Sequence, residues 1–389
     1  MHQLKEHFLL DPEVVFLNHG SFGATPRPVF EAYQNWQRKL EHQPVRFLIR
    51  DLFPRLEQTR QVLASRLNAG HNDLVYIPNA TFGVNLVARS LNLQPRDEIL
   101  TTNQEYGACD NTWEFICQKT GASYIHQPIS LPVTSHASIV EEFWKGVTPR
   151  TKMIFISHIT SQTALRMPVE TLCGMARERG ILTLVDGAHA PGQISLNLAE
   201  IGADFYVGNC HKWLLSPKGA GFLHTRPEYQ ESLDPLVVGW GWGENSPFTT
   251  GSPYIDKLEW LGTKDPAAYL SVPAAIQFQK DHNWPQIRKE CHQLLKRTVQ
   301  RACQITELPS VYPQEDGLYH QMAIIPLPPI EDLPGFKEAF YKQYKIEIPT
   351  IEWQGRQFLR ISVQGYNTGK DLEIFLEALE VLLPQFMRR

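Results

Sequence analysis

Residues 181–222 read ILTLVDGAHAPGQISLNLAEIGADFYVGNCHKWLLSPKGAGF, and the reading of this stretch decides the fold. It holds two short apolar runs, Leu182–Val185 and Ala203–Val207, each followed by ionisable residues. The first leads to Asp186 and His189, the second to His211 and Lys212. Runs of this length suit buried strands, and in an open α/β sheet ligands sit beyond the carboxyl ends of the strands. Both clusters are therefore expected to face one crevice.

The flanking sequence repeats the alternation of strand and helix. Upstream lie the helical PVETLCGMARERG (168–180), with its glycine stop, and the strand-like KMIFISHI (152–159), EILTTNQ (98–104) and LVYIP (74–78). A turn at Asn79-Ala80-Thr81-Phe82-Gly83 leads into the helical VNLVARSL. Further upstream, 53–69 has helical spacing with Gly70 as a natural stop, and Leu17–Pro26 reads as an ordered turn. Alternation through 75–225 predicts an α/β domain with a mostly parallel sheet flanked by helices. From Pro266 the order changes to helices at 266–280 and 284–304, strands MAIIPL and FLRISV, and a last helix started by Thr368 and Asp371. That pattern predicts a smaller α+β domain, built from 263–389 with the N-terminal segment 1–19, beside a large domain over 20–262.

A lysine and a carboxylate brought to one crevice suit pyridoxal 5′-phosphate (PLP). The amine can form a Schiff base with its aldehyde, and the carboxylate can hold a proton on its ring nitrogen. VDGAHA, followed 212 − 186 = 26 positions later by the lysine of CHKW, resembles the class V aminotransferase family of fold type I PLP enzymes, within it the isopenicillin N epimerase-like branch. The resemblance covers nearly the whole chain. It implies that Lys212 and Asp186 are catalytic, that Tyr106 stacks on the pyridine ring, and that His189 bonds the phenolic oxygen. It further implies a phosphate cradle at Asn79, Ala80, Thr81 and His211, and a polar contact from Ser161, with Gln162 the weaker match. Asn18 and His19 of LNHGS and Arg360 of FLRIS then fall on the substrate side, Arg360 as the carboxylate fork. From its place in the strand alone, Arg360 is equally an exposed edge arginine. Thr263 would reach the phosphate of a partner subunit, so the resemblance also implies a homodimer with the cofactor at the subunit interface.

Composition narrows the rest. With 37 Lys+Arg against 41 Asp+Glu, neither nucleic acid nor a membrane surface is expected as partner. The opening MHQLKEHFLLDPEV lacks a basic segment followed by an apolar run, which leads to a cytoplasmic expectation. The 6 cysteines show no C-x-x-C pair and the 14 histidines no H-E-x-x-H spacing, so no metal site is expected. Cys210 is the cysteine expected nearest the chemistry. GWGWG at 239–243 lacks the strand–turn–helix context of a nucleotide loop.

Three outcomes of α-proton removal stay open. Epimerisation needs a second proton donor, for which Tyr106 and His19 are the candidates. Cysteine or cystine C–S lysis and transamination run on the same fold, and a PLP-binding regulatory protein is the reading outside enzymes. No cysteine lies between Cys303 and Arg389, where the desulfurase branch carries its reactive thiol.

Overall fold

In a computed structural model, which describes residues 4–243, 249–312 and 317–387, the two runs become neighbouring parallel strands. In chain order the strands of the first half are β1 (Val15–Phe16), β2 (Leu74–Ile77), β3 (Glu98–Thr102), β4 (Ser123–Gln127), β5 (Thr151–Ser157), β6 (Leu182–Gly187), β7 (Phe205–Asn209) and β8 (Gly221–Thr225). Seven of them form one sheet in the order β2-β8-β7-β6-β5-β3-β4. The pairs from β7 through β4 are parallel, whereas β8 is antiparallel to both β7 and β2. Between β7 and β8 the chain has no helix to carry a crossover, so it returns as a reversed strand. Lys212 lies in that return.

Both faces of the sheet are buried. Leu74 and Tyr76 of β2 belong to one apolar cluster, Val75 and Ile77 to the other, as the two-residue period of a strand requires. Helices cover each face, which explains why these strands read as continuous apolar runs.

The remaining strands are β9 (Met322–Leu327), β10 (Ile346–Glu347), β11 (Thr350–Trp353) and β12 (Arg356–Ser362). β11, β12 and β9 make a three-stranded antiparallel sheet with β12 in the middle, while β1 pairs in parallel with β10. The Ser362 N–H donates to Leu17 O at 2.8 Å, so the N-terminal segment is bonded onto the C-terminal sheet. Residues 18–22 are thereby fixed beside Arg360.

Several element boundaries differ from the sequence reading. The helix expected to stop at Gly70 spans Leu52–Leu67, because Asn68 already takes the left-handed conformation (φ 52°) that a short polar side chain tolerates. The helix expected over 266–280 is two, Ala267–Leu270 and Val272–Asp281. Pro273 has no N–H to continue the first. Leu17–Pro26 is not all turn: His19–Phe22 forms one helical turn. The last helix, Gly369–Phe386, starts at the expected capping box of Thr368 and Asp371 and buries Leu372, Phe375, Leu376, Leu379 and Leu383. Among the described residues no helix is long and apolar enough to cross a membrane.

Candidate active site

Because β2, β3, β5, β6 and β7 run in one direction, their carboxyl ends open along one edge of the sheet. There they enclose a cavity of about 210 Å³. The exit of β2 delivers Asn79, Ala80 and Thr81, and that of β3 delivers Tyr106. β5 contributes Ser157 and Ser161, β6 contributes Asp186 and His189, and β7 contributes Asn209, His211 and Lys212.

Asp186 is buried, and its two oxygens are engaged on one side only. Oδ1 accepts the Ala188 N–H at 2.8 Å, and the Cys109 thiol lies 3.7 Å from Oδ2. Burial raises its pKa, which the Ala188 N–H and then the Lys212 charge counter. Burial likewise lowers Lys212 to about 8, against the pull of Asp186. The cavity thus holds a carboxylate and an amine whose lowered pKa puts a usable fraction of it in the neutral form at physiological pH. Lys212 Nζ lies 3.2 Å from His189 Nε2, and the Trp213 indole donates to His189 Nδ1 at 3.3 Å. His189 is pushed well below its usual pKa, first by burial and then by the Lys212 charge.

The opposite end suits an anion. Helix Ala80–Ser90 opens on the cavity, and an N-terminal turn exposes amides that favour negative charge. Two of those amides are already satisfied, Ala80 by Asn209 Oδ1 and Phe82 by Asn79 Oδ1, both at 2.9 Å. The Thr81 N–H and hydroxyl have no protein acceptor among the described residues. His211 donates from Nδ1 to Ala220 O at 2.9 Å, and burial lowers its pKa to about 4. The backbone of His211 and Lys212 is clamped from behind by Gly23. At φ 71°, a Cβ there would stand 2.2 Å from His211 O.

Arg360 is not an edge residue. β12 is the central strand of its sheet, and the side chain is 5% exposed. Nη1 donates to Ser161 O at 2.5 Å and to Ser161 Oγ at 3.2 Å; Nη2 donates to Ser21 Oγ at 3.0 Å. Its Nε is buried with no partner, and among the described residues no carboxylate reaches ion-pair distance. Burial lowers its pKa to about 10. A buried guanidinium held only by neutral oxygens is a standing demand for an anion.

Most of the expected site residues therefore meet in one place: Asn79, Ala80, Thr81, Tyr106, Ser161, Asp186, His189, His211 and Lys212 all line the cavity. Tyr106 is 47% exposed, at the cavity mouth. His19 and Asn18 do not line it. His19 is fully buried, with its ring nitrogens 3.1 Å from the Tyr366 hydroxyl and from Lys212 O, and burial lowers its pKa to about 3. It braces the lysine backbone as a neutral imidazole, with its Nε2 directed at Lys212 O. Asn18 sits one step further back: Ser21 Oγ donates to Asn18 Oδ1 at 2.5 Å, and Asn18 Nδ2 donates to Glu347. Gln162 turns away to Glu105 O, and Thr263 is exposed, away from the cavity. Cys210 is fully buried and outside the lining, and the thiol beside Asp186 belongs to Cys109 on the helix after β3.

Sequence reasoning passed over Asn209, Ser157 and Glu105. Asn209 is the polar residue that ends β7, a position that signals a ligand edge. Buried Glu105 bonds the Ser157 N–H and hydroxyl and the Thr102 hydroxyl, and burial raises its pKa to about 8.

The pattern that defines "Aminotransferase class-V" matches residues 15–330. The chain belongs to the class V aminotransferase family. Isopenicillin N epimerase of Amycolatopsis lactamdurans is 36% identical, covering 97% of this chain and 97% of that protein. Its Streptomyces clavuligerus namesake is 34% identical over 98% of each. A putative L-cysteine desulfhydrase of Oryza sativa subsp. japonica is 28% identical over 95% of this chain and 83% of its own length. Cysteine desulfurase from Thermococcus onnurineus NA1 superposes with a TM-score of 0.83 at 21% identity, over 98% of both chains. As a class V aminotransferase family member the chain is an enzyme, and its cofactor is PLP. The residues fit that group: an amine for the aldehyde, one lining carboxylate for the ring nitrogen, and unpaired Thr81 donors with no acidic side chain beside them for the phosphate.

Proposed function

We propose that the chain moves the α-proton of an amino acid, or of an amino-acid-derived peptide with a free α-carboxylate, in the manner of an isopenicillin N epimerase. The observation that carries this reading is the buried Arg360 fork without a counter-charge, which stands directly behind Ser21 and Ser161 of the cavity that Asp186 and Lys212 line. Bound PLP supplies a sink for the electron pair left on the α-carbon when its proton departs. Arg360 holds the substrate carboxylate in two parallel bonds, which orients the α-carbon. Lys212 Nζ, with its pKa lowered to about 8, takes the proton and returns it. Asp186 keeps the ring nitrogen protonated.

Inversion needs a second proton group. With His19 turned to the Lys212 backbone, Tyr106 is the candidate that faces the cavity. The likeness to the two epimerases over nearly the full chain favours inversion over C–S lysis. The lack of any cysteine between Cys303 and Arg389 counts against desulfuration. A homodimer in which Thr263 reaches the partner's cofactor belongs to the same reading, as does a cytoplasmic location.

A screen of L-amino acids and short peptides in deuterated water tests the proposal. Deuterium at the α-carbon of both enantiomers is expected; release of keto acid or sulfide without inversion would reject epimerisation. Tyr106→Phe should keep one-sided exchange through Lys212 and slow inversion by on the order of a hundredfold, the usual weight of a positioned proton donor. Arg360→Ala should raise KM for substrates with a free α-carboxylate by on the order of ten- to a hundredfold, since a hydrogen bond to a charged group is worth about 1.5–3 kcal/mol. An unchanged KM would remove Arg360 from its role.

A further inference from the structure

The contact between Trp213 and His189 decides a matter that neither residue type decides alone. An indole N–H can only donate, so the His189 Nδ1 it meets at 3.3 Å must carry a lone pair. In a neutral imidazole the hydrogen then sits on Nε2, which is the nitrogen 3.2 Å from Lys212 Nζ. We propose that Trp213 is a positioning residue that locks His189 in its Nε2–H form, so that His189 offers Lys212 and the cavity a donor and never an acceptor.

Trp213 is too well anchored to adapt to the histidine. It is fully buried, and its carbonyl accepts the Gln279 side-chain amide at 2.9 Å. Its ring lies 4.8 Å from that of His19, and a Cβ on Gly192 would stand 2.2 Å from its carbonyl oxygen. His189 is fixed on its other side by the Gln193 side-chain amide, which donates to His189 O at 2.8 Å. The imidazole therefore takes the tautomer that the indole dictates.

The lock has a chemical consequence. A donor facing Lys212 favours the nitrogen with its lone pair free, the form needed both to attack an aldehyde and to take a proton. In the opposite tautomer the Nε2 lone pair would stabilise the protonated nitrogen and hold it out of action. The charged and titratable groups that face Lys212 are Asp186, Arg360 and Cys109; those that face His189 are Lys212, Arg360 and His19. Among the described residues the indole is the one hydrogen-bond partner of His189 Nδ1, so it is the indole that fixes the tautomer.

The test uses the full-length holoenzyme. Nitrogen NMR of histidine-labelled protein should show His189 with hydrogen on Nε2, and a wild-type spectrum with hydrogen on Nδ1 overturns the proposal without any variant. In Trp213→Phe the tautomer is released. The pH midpoint of the visible absorbance, which reports protonation of the Lys212 nitrogen, should then rise by about one unit, a tenfold loss of the unprotonated form at a fixed pH below it. A folded Trp213→Phe protein with an unmoved midpoint and an unchanged tautomer reduces Trp213 to packing. The inference holds whichever reaction the α-carbon undergoes, so its failure leaves the epimerase reading untouched, and the reverse.

Discussion

Lys212→Ala should abolish turnover, with kcat falling by on the order of a thousandfold or more, because in the proposed mechanism one nitrogen serves as both covalent anchor and proton carrier. The purified wild type should be yellow, with a visible band that borohydride fixes to the chain; the variant should lose that fixed adduct even where free cofactor still binds. Its fold should survive. Burial already presses this amine toward neutrality, so removing it relieves a desolvation cost, and Asp186, which loses the Lys212 charge, keeps the Ala188 N–H. The sign of its pH dependence follows from the lowered pKa of about 8: the amine gains its lone pair as pH rises through that value, so steps that use it as a base should speed up over the same range. A variant that still yields a borohydride-stable adduct at a single lysine would move the anchor elsewhere and end the assignment.

Asp186→Asn is expected to cost on the order of a hundred- to a thousandfold in kcat, the scale of losing one preorganised electrostatic partner. The amide has nearly the shape of the carboxylate and can still accept the Ala188 N–H, so the loop after β6 should keep its conformation. What it lacks is charge. A neutral amide cannot hold a proton on a pyridine nitrogen, so the sink for the α-carbon's electron pair becomes shallow. Substrate binding through Arg360 should be nearly unaffected, so the loss falls on kcat rather than KM. An Asp186→Asn enzyme with wild-type kcat would remove this residue from the chemistry, whatever its position in the cavity.

The central sheet and most of the cavity were legible because they depend on local order in the chain. Each of the apolar runs before Asn79, Asp186 and His211 is a strand short enough to read from period and length, and parallel strands must bring their carboxyl ends to one edge. The lysine, its carboxylate partner and the helix start that opens on the cavity follow from that rule with no knowledge of packing. Even the boundary errors were local, at Asn68 and Pro273, where a polar residue at positive φ and a missing N–H ended helices early.

Arg360, His19 and Cys109 depended on contacts hundreds of residues apart or on the face a side chain takes. In the sequence, Arg360 is as much an edge arginine as a carboxylate fork, and the middle position of β12 in its sheet, with Ser21 and Ser161 closing on the guanidinium, removes the edge reading. His19 reads as a substrate contact until β1 pairs with β10 and turns its ring toward Tyr366 and the Lys212 carbonyl. Cys210 adjoins the key lysine in sequence yet faces the core, while Cys109 arrives beside Asp186 from another strand's exit. The chain alone determined the edge on which the chemistry sits, since strand direction and residue order are one-dimensional facts. Which nitrogen carries a proton, and which charge stands unpaired, was decided only by packing, because burial and hydrogen-bond partners exist only once distant segments meet.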